Sequence, residues 1–276
     1  MNVTMPSLAV LLGGQNQSPL FNSLNNKPAI SAKLAHDSLA TQKDEKQSAI
    51  ATAGKVERDM AAFKRAVGNA TTLEEALSDP TVHRMLSQVY EIDILSNNSE
   101  RFAQIVSTNP DDPTSLAARS RDKGMIALAE DLQRVDNGLG LLQDETFQNA
   151  IQDTVVSVEF EAKAADVNPA AANAFYFERN AAGLETPMDV LSNSRIRDVV
   201  FGALDLPDSY KSQPIAKQAA VLAEKLDFTK MQDPDYIKEL SVNYLNTIDR
   251  QQPVGKPSLA TILQPSGTGA LFNTLA

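Results

Sequence analysis

Few residues in this chain have the types and spacing that chemistry needs. Ser120-Arg-Asp-Lys123 shows the Ser-x-x-Lys spacing, in which a lysine can take the proton of a serine nucleophile for acyl transfer. The usual companions Ser-Asp-Asn and Lys-Thr-Gly are absent, so the plainer reading is a helix end beside a solvated lysine. His36 and His83 are the only histidines, and there is no cysteine. That excludes disulfides, thiolate metal sites and cysteine catalysis. A lone histidine on a helix belongs at a surface or core edge rather than on a metal. Asp111-Asp112 lacks a glycine-centred calcium loop and suits a helix N-terminus. Lys43-Asp-Glu-Lys46 reads as the exposed face of a helix. No HExxH, P-loop or GxGxxG follows a strand. General acid–base chemistry needs carboxylates in contrasting environments, and nothing selects a pair among the 35 acidic residues. The chain therefore reads as non-enzymatic, with no catalytic residue, metal, cofactor or small-molecule substrate.

A different pattern stands out at the two ends. Residues 6–24 read PSLAVLLGGQNQSPLFNSL, and residues 257–275 read PSLATILQPSGTGALFNTL. They align without a gap at an offset of 251. The shared apolar positions are Leu8, Leu12, Leu20, Phe21 and Leu24 in the first peptide. In the second they are Leu259, Leu263, Leu271, Phe272 and Leu275. The middles share only small or polar character. Apolar anchors around a free spacer suggest a docking peptide, and these ten residues are the expected partner-binding set. Such a peptide should not order alone. Fixing a residue's backbone costs about 1–2 kcal/mol, and each large apolar side chain returns about 1.5–3 kcal/mol only when fully buried. It needs a prepared groove, as in helix-in-groove or extended-strap binding. That groove could lie on the peptide's own body, on a neighbouring copy or on another protein.

Charge separates these flanks from the rest. No side chain from Asn2 to Asn26 is charged, and none follows Lys256. The formal net charge is −10 and the isoelectric point is about 4.8. An acidic chain without a basic stripe argues against nucleic acid and anionic membranes as partners. The longest aliphatic run, Leu8–Leu12, is far below the roughly 20 residues that span a bilayer. No basic residue precedes it, so a cleaved secretory signal is not expected.

The elements between the flanks read as helices throughout, which makes the fold class all-α. Strand alternation with Asn-Gly or Asp-Gly turns does not occur. Pro28 opens a long polar segment whose later part carries a helical stripe, Ile50, Ala53, Val56, Met60, Phe63 and Val67. Thr72-Leu-Glu-Glu75 is a capping-box pattern, and Asp79-Pro80 an N-cap followed by proline. Further helices are expected from near Asn98, Pro113 and Asp122, with Gly138 and Gly140 breaking the pattern. A long helix is expected over 145–166, with Phe147, Ile151, Val155, Val158 and Ala162 on one face. Asn168-Pro169 caps the next helix, and others begin near Pro187, Ser194, Gln213 and Asp233.

A second repeat lies inside the body. At an offset of 114, Phe63 meets Phe177, Arg65 meets Arg179, and Leu77-Ser78 meets Leu191-Ser192. Val82, Met85, Leu86 and Ile92 meet Ile196, Val199, Val200 and Leu206. The unbroken register argues for duplication. The expected organisation is a docking segment at 1–27, helical units at 28–143 and 144–250 that each open on a long helix, and a docking segment at 251–276.

Stretches of the body resemble an uncharacterised alphaproteobacterial family whose members are often encoded in flagellar gene clusters. The resemblance spans about 57–248. It is carried by FKRAVGNATTLEEALSDPTVHRMLSQVYEID (63–93), DPTSLAARSRDKGMIALAEDL (112–132), VEFEAKAADVNPAAANAFYFERNAA (158–182), SNSRIRDVVFGALDLPDSY (192–210) and QDPDYIKELSVNYL (232–245). These are packing and capping motifs, and the family offers no catalytic residue to carry over. The resemblance implies a duplicated all-helical domain that assembles or builds the flagellum. In that reading the terminal peptides join the protein to copies of itself or to other flagellar proteins. Its location would be the flagellum or basal body, reached by export without a cleaved signal. The alternative is a cytoplasmic export chaperone or adaptor for flagellar components.

Overall fold

The structure is a computed structural model that describes residues 30–92, 98–120, 122–133 and 137–251. Among them every regular element is helical, so the protein is all-α. The first helices are α1 (Ala32–Thr41), α2 (Lys43–Ala51), α3 (Gly54–Asn69), α4 (Leu73–Ser78) and α5 (Pro80–Val89). Next come α6 (Ser99–Val106), α7 (Leu116–Ser120), α8 (Lys123–Gln133), α9 (Gly138–Gln143) and the long α10 (Glu145–Val167). The last are α11 (Pro169–Asn180), α12 (Pro187–Ser192), α13 (Ser194–Ala203), α14 (Ile215–Lys225) and α15 (Pro234–Gln251). Short 3-10 turns lie at Ala181–Gly183, Asp208–Ser212 and Phe228–Lys230.

These helices form two compact units. The first holds 42–160, from α2 into α10. The second holds α1, the end of α10 and everything from α11 onward. In the first unit Phe63, Val67, Leu77, Val82, Leu86, Phe102 and Leu128 are buried. In the second, Phe177, Val190, Ile196, Val199, Val200, Phe201, Leu222 and Leu245 form one cluster.

The duplication is geometric as well as sequential. At the offset of 114, the bounds of α4 match those of α12, and the bounds of α5 those of α13, end for end. Asp79 accepts the amides of Thr81 and Val82 at 2.7 and 3.2 Å, and Asn193 accepts those of Arg195 and Ile196 at 3.0 and 3.1 Å. Each helix ends in a Schellman-type closure. The Ile92 amide donates to the Ser87 carbonyl and that of Leu206 to Phe201, both at 2.9 Å. Between them Glu91 and Asp205 take φ of 55° and 52°. The offset also holds upstream, where α1 and α2 correspond to α10, and α3 to α11.

Several expectations change in detail. The segment after Pro28 is three helices rather than one, with breaks at Gln42 and at Thr52-Ala53. The stripe is buried at Ile50, Val56, Met60, Phe63 and Val67, while Ala53 is the half-buried N-cap of α3. The Thr72 hydroxyl caps the Glu75 amide, but Glu75 reaches back to Thr71 rather than Thr72, at 2.8 Å. Past Pro113 the chain turns before α7 starts at Leu116. Gly138 and Gly140 do not break a helix; they begin one. Asn137 caps the Gly140 amide at 3.2 Å, and a Cβ on Gly138 would sit 2.9 Å from the Leu73 side chain. On α10, Ile151 and Val155 are buried as the spacing implies. Ala162 is exposed, because the buried face moves to Phe160, Glu161 and Ala164.

Candidate docking site where the two flanks leave the body

The site is built on the first turn of α1 and the last turn of α15, both in the second unit. α1 runs between α11 and α15 and buries Ala32, Ala35, His36 and Leu39. Ser31 is its N-cap: the hydroxyl accepts the Leu34 amide at 3.3 Å. The same hydroxyl donates to the Asp249 carboxylate at 2.6 Å. Asp249 also accepts the amides of Ala32 at 2.6 Å and Lys33 at 3.1 Å. A carboxylate at a helix N-terminus meets the otherwise unsatisfied donors and the positive end of the dipole. Asn168, the N-cap of α11, adds a third tie through its amide, which donates to the Ile30 carbonyl at 3.0 Å.

Chain continuity gives this arrangement its meaning. Residue 30 is the first described residue and residue 251 the last. The two flanks are therefore rooted next to each other, through residues more than 200 positions apart. Beside this root Leu34 is 62% exposed and Ile30 is 42% exposed, two of the few large apolar side chains in the body that face water. The ten partner-binding candidates, Leu8, Leu12, Leu20, Phe21, Leu24, Leu259, Leu263, Leu271, Phe272 and Leu275, lie outside the described residues.

The residues considered for chemistry take structural roles. Ser120 closes α7 by donating to the Ala117 carbonyl at 2.7 Å. Asp112 accepts the Thr114 hydroxyl and amide at 2.7 and 2.8 Å, and these bonds hold its carboxyl below the usual value. His83 is buried against Phe102, ring centres 4.4 Å apart, and desolvation holds its imidazole below the ordinary value. His36 is buried and stacked on Phe175 at 4.4 Å, with Nε2 3.0 Å from Glu178. No group of metal-ligating side chains occurs among the described residues. A shallow open cleft of about 310 Å³ lies between α2 and α10, lined by Asp44, Gln47, Ser48, Ala51, Asp153, Val156 and Ser157. Gln47 spans it to Ser157 at 3.3 Å.

Sequence reasoning missed two polar features, one half-buried and one buried. Asp249 carries no local signal, because its partners are 216 to 218 residues away. Glu161 is buried and bonds Arg179 Nε at 2.7 Å, with Arg195 Nη1 at 3.6 Å. Arg195 stacks 3.9 Å from the Tyr176 ring centre, and the Tyr176 hydroxyl accepts from Asn193 at 2.6 Å. Arg65, the repeat partner of Arg179, is exposed, and the position matching Glu161 is Gln47. The repeated arginine thus has one buried role, not two.

A family match covers residues 90–237, which is more than half of the chain. The chain belongs to DUF1217, a family of proteins of unknown function. This DUF1217 protein is similar in fold to the crystal structure of protein AGR_C_984 from Agrobacterium tumefaciens, with a TM-score of 0.69 at 16% identity. The likeness covers 81% of this chain and 95% of that one. No curated protein matches the chain. The family boundary starts at the end of α5 and stops in the first turn of α15, so the DUF1217 match leaves both flanks and α1 outside.

Proposed function

We propose that this protein is a non-enzymatic structural or assembly protein of the bacterial flagellum, and that its matched terminal peptides dock onto neighbouring subunits or a flagellar partner. One observation carries the docking part. Asp249 ties the first turn of α1 to the last turn of α15, so the described body ends at neighbouring points on both sides, with exposed Ile30 and Leu34 beside them. Two related ligands on one root act as a bivalent tether, whose avidity can exceed either affinity by about 10²–10⁴. If both engage neighbouring copies, the contact is heterologous and repetition extends it. The flagellar part is supported by the resemblance over about 57–248.

Deleting 1–26 together with 257–276 tests the docking. The shortened protein should keep its helical circular dichroism and lose self-association or partner capture. Normal assembly of that variant would remove the flanks from the account. Fractionating cells with and without a working flagellar export apparatus tests the location. Appearance outside the cell only when the apparatus works supports an exported component. Retention inside in both cases supports a cytoplasmic adaptor.

A further inference from the structure

Unit membership and repeat boundaries do not coincide in this chain, and the mismatch is reciprocal. Each repeat opens on a leading helix, α1 with α2 in the first and α10 in the second. The start of the first leader, α1, belongs to the second unit. The start of the second leader, residues 145–160, belongs to the first unit. Each unit is completed by the opening helix of the other repeat. The first exchange is made across Gln42, the joint between α1 and α2.

Three features make α1 a separable piece. Its seat uses contacts that any copy of the chain can supply: the Asp249 cap, the His36–Phe175 stack, the His36–Glu178 contact and buried Ala32, Ala35 and Leu39. The joint holds neither proline nor glycine; it reads Thr41-Gln42-Lys43. Gln42 sits at φ −112° and ψ 8°, and its carbonyl already accepts the Lys46 amide at 2.9 Å in helical fashion. The second repeat shows the alternative at the same register, since α10 passes the matching positions Val155-Val156 as unbroken helix.

We infer that α1 is an exchange helix: the α1 of one copy occupies the seat between α11 and α15 in the next copy. The partner is a second copy of this chain, because the seat's caps and apolar positions fit this sequence. Closed and exchanged forms make the same contacts, so the balance is set by concentration and by the joint. A short tether holds α1 at an effective concentration on the order of mM. Exchange then belongs to crowded conditions such as a growing assembly. It delivers the N-terminal flank of one copy beside the C-terminal flank of its neighbour. The inference goes beyond flank docking, because here a described helix makes the link, and it stands whether or not the flanks bind a partner.

The chain has no cysteine, so introduced thiols report cleanly. A full-length Ser31→Cys chain is mixed with a full-length Asp249→Cys chain at concentrations on the order of mM, co-refolded, and treated with a short bis-maleimide. A covalent dimer is expected on a denaturing gel, falling at least tenfold at µM concentration. Ser31→Cys mixed with Met188→Cys measures chance collisions, and a dimer yield no higher than that control overturns the inference. Where Asp249→Cys loses helical circular dichroism, Ile30→Cys with Asn168→Cys replaces the pair.

Discussion

The Asp249 carboxylate accepts the Ala32 amide at 2.6 Å, so the last helix caps the first. Ser31 and Lys33 complete the bond set on the same carboxylate. One side chain thereby holds α1 on its seat and brings the roots of both flanks to one place.

Asp249→Ala should lower stability by about 1–2 kcal/mol, the usual cost of losing a helix cap. The midpoint of urea unfolding followed by far-ultraviolet circular dichroism reads it. The same variant should raise the rate of proteolysis within α1. An unchanged midpoint would mean that water or another group takes over the Ala32 and Lys33 amides.

The left-handed residues give a second prediction. Glu91 and Asp205 both close helices at positive φ, where a Cβ is disfavoured and glycine is not. Glu91→Gly should stabilise the protein by up to about 1 kcal/mol, the left-handed cost of roughly 1–2 kcal/mol less the extra freedom that glycine gives the unfolded chain. Asp205→Gly should gain less, because aspartate tolerates this region better than glutamate. The Asp205 pair with Arg250 at 3.3 Å is exposed and contributes little to either variant's midpoint. Urea midpoints of the two variants, compared directly, decide it.

Much of the architecture was legible because its determinants are local. Thr72, Asp79, Asn168 and the Pro80 and Pro169 that follow caps mark helix starts, and the structure uses each as a cap or first turn. The offset of 114 was visible in apolar positions, and the hydrogen bonds that share it needed coordinates. The breaks at Gln42 and Thr52 carry no proline or glycine signal except Gly54. Glycine's ordinary meaning failed at Gly138, where close approach of Leu73 outweighs poor helix propensity. Asp249 and Glu161 were invisible because their partners are distant in sequence or buried by packing. The matched terminal peptides were legible as a repeat, and the bonds that tie Ser31, Ala32 and Lys33 to Asp249 were not.

Glu161 predicts a large loss. Its side chain is 6% exposed and faces two arginines. Removing one partner of a buried pair leaves the rest uncompensated, which costs about 3–5 kcal/mol. Glu161→Ala should fall near 3 kcal/mol, because Arg195 is 38% exposed and can reach water. Gln47→Ala, at the matching position of the first repeat, should cost less than 1 kcal/mol, the scale of a single neutral hydrogen bond. Parallel urea titrations of the two variants test the asymmetry.

His83 predicts a pH dependence on the acid side. Burial against Phe102 lowers its pKa below the ordinary 6.5. The unfolded chain then binds the proton first as pH falls, so stability is full above about 6.5 and declines below it. Asp37, Glu75, Asp112 and Asp227 also have lowered pKa values, but their losses begin only near the ordinary carboxylate values of 3.8 to 4.5. His83→Gln should therefore flatten the decline of the urea midpoint that begins below pH 6.5 and leave the steeper fall near pH 4. A slope unchanged by the substitution would assign it to other groups.

Tyr244 predicts the alkaline side. Burial of Tyr244, which packs from α15 against α13, pushes its phenol up to about 12, against a bonding contribution from Asn173 that lowers it. The close seat is made possible by Gly202, where a Cβ would stand 2.6 Å from the Tyr244 ring. A raised folded pKa means that the unfolded chain ionises first, near 10. The phenol's contribution is complete below pH 10 and is lost as pH rises toward 12. At about 1.4 kcal/mol per pKa unit, the loss across that range is about 2–3 kcal/mol. Tyr244→Phe should cost about 1 kcal/mol at neutral pH, for the bond to Asn173, and then lose less than the parent between pH 10 and 12. The difference between the two urea series isolates the phenol. Gly202→Ala should be worse than Tyr244→Phe at neutral pH, by about 1–3 kcal/mol, because the added methyl must displace a packed ring.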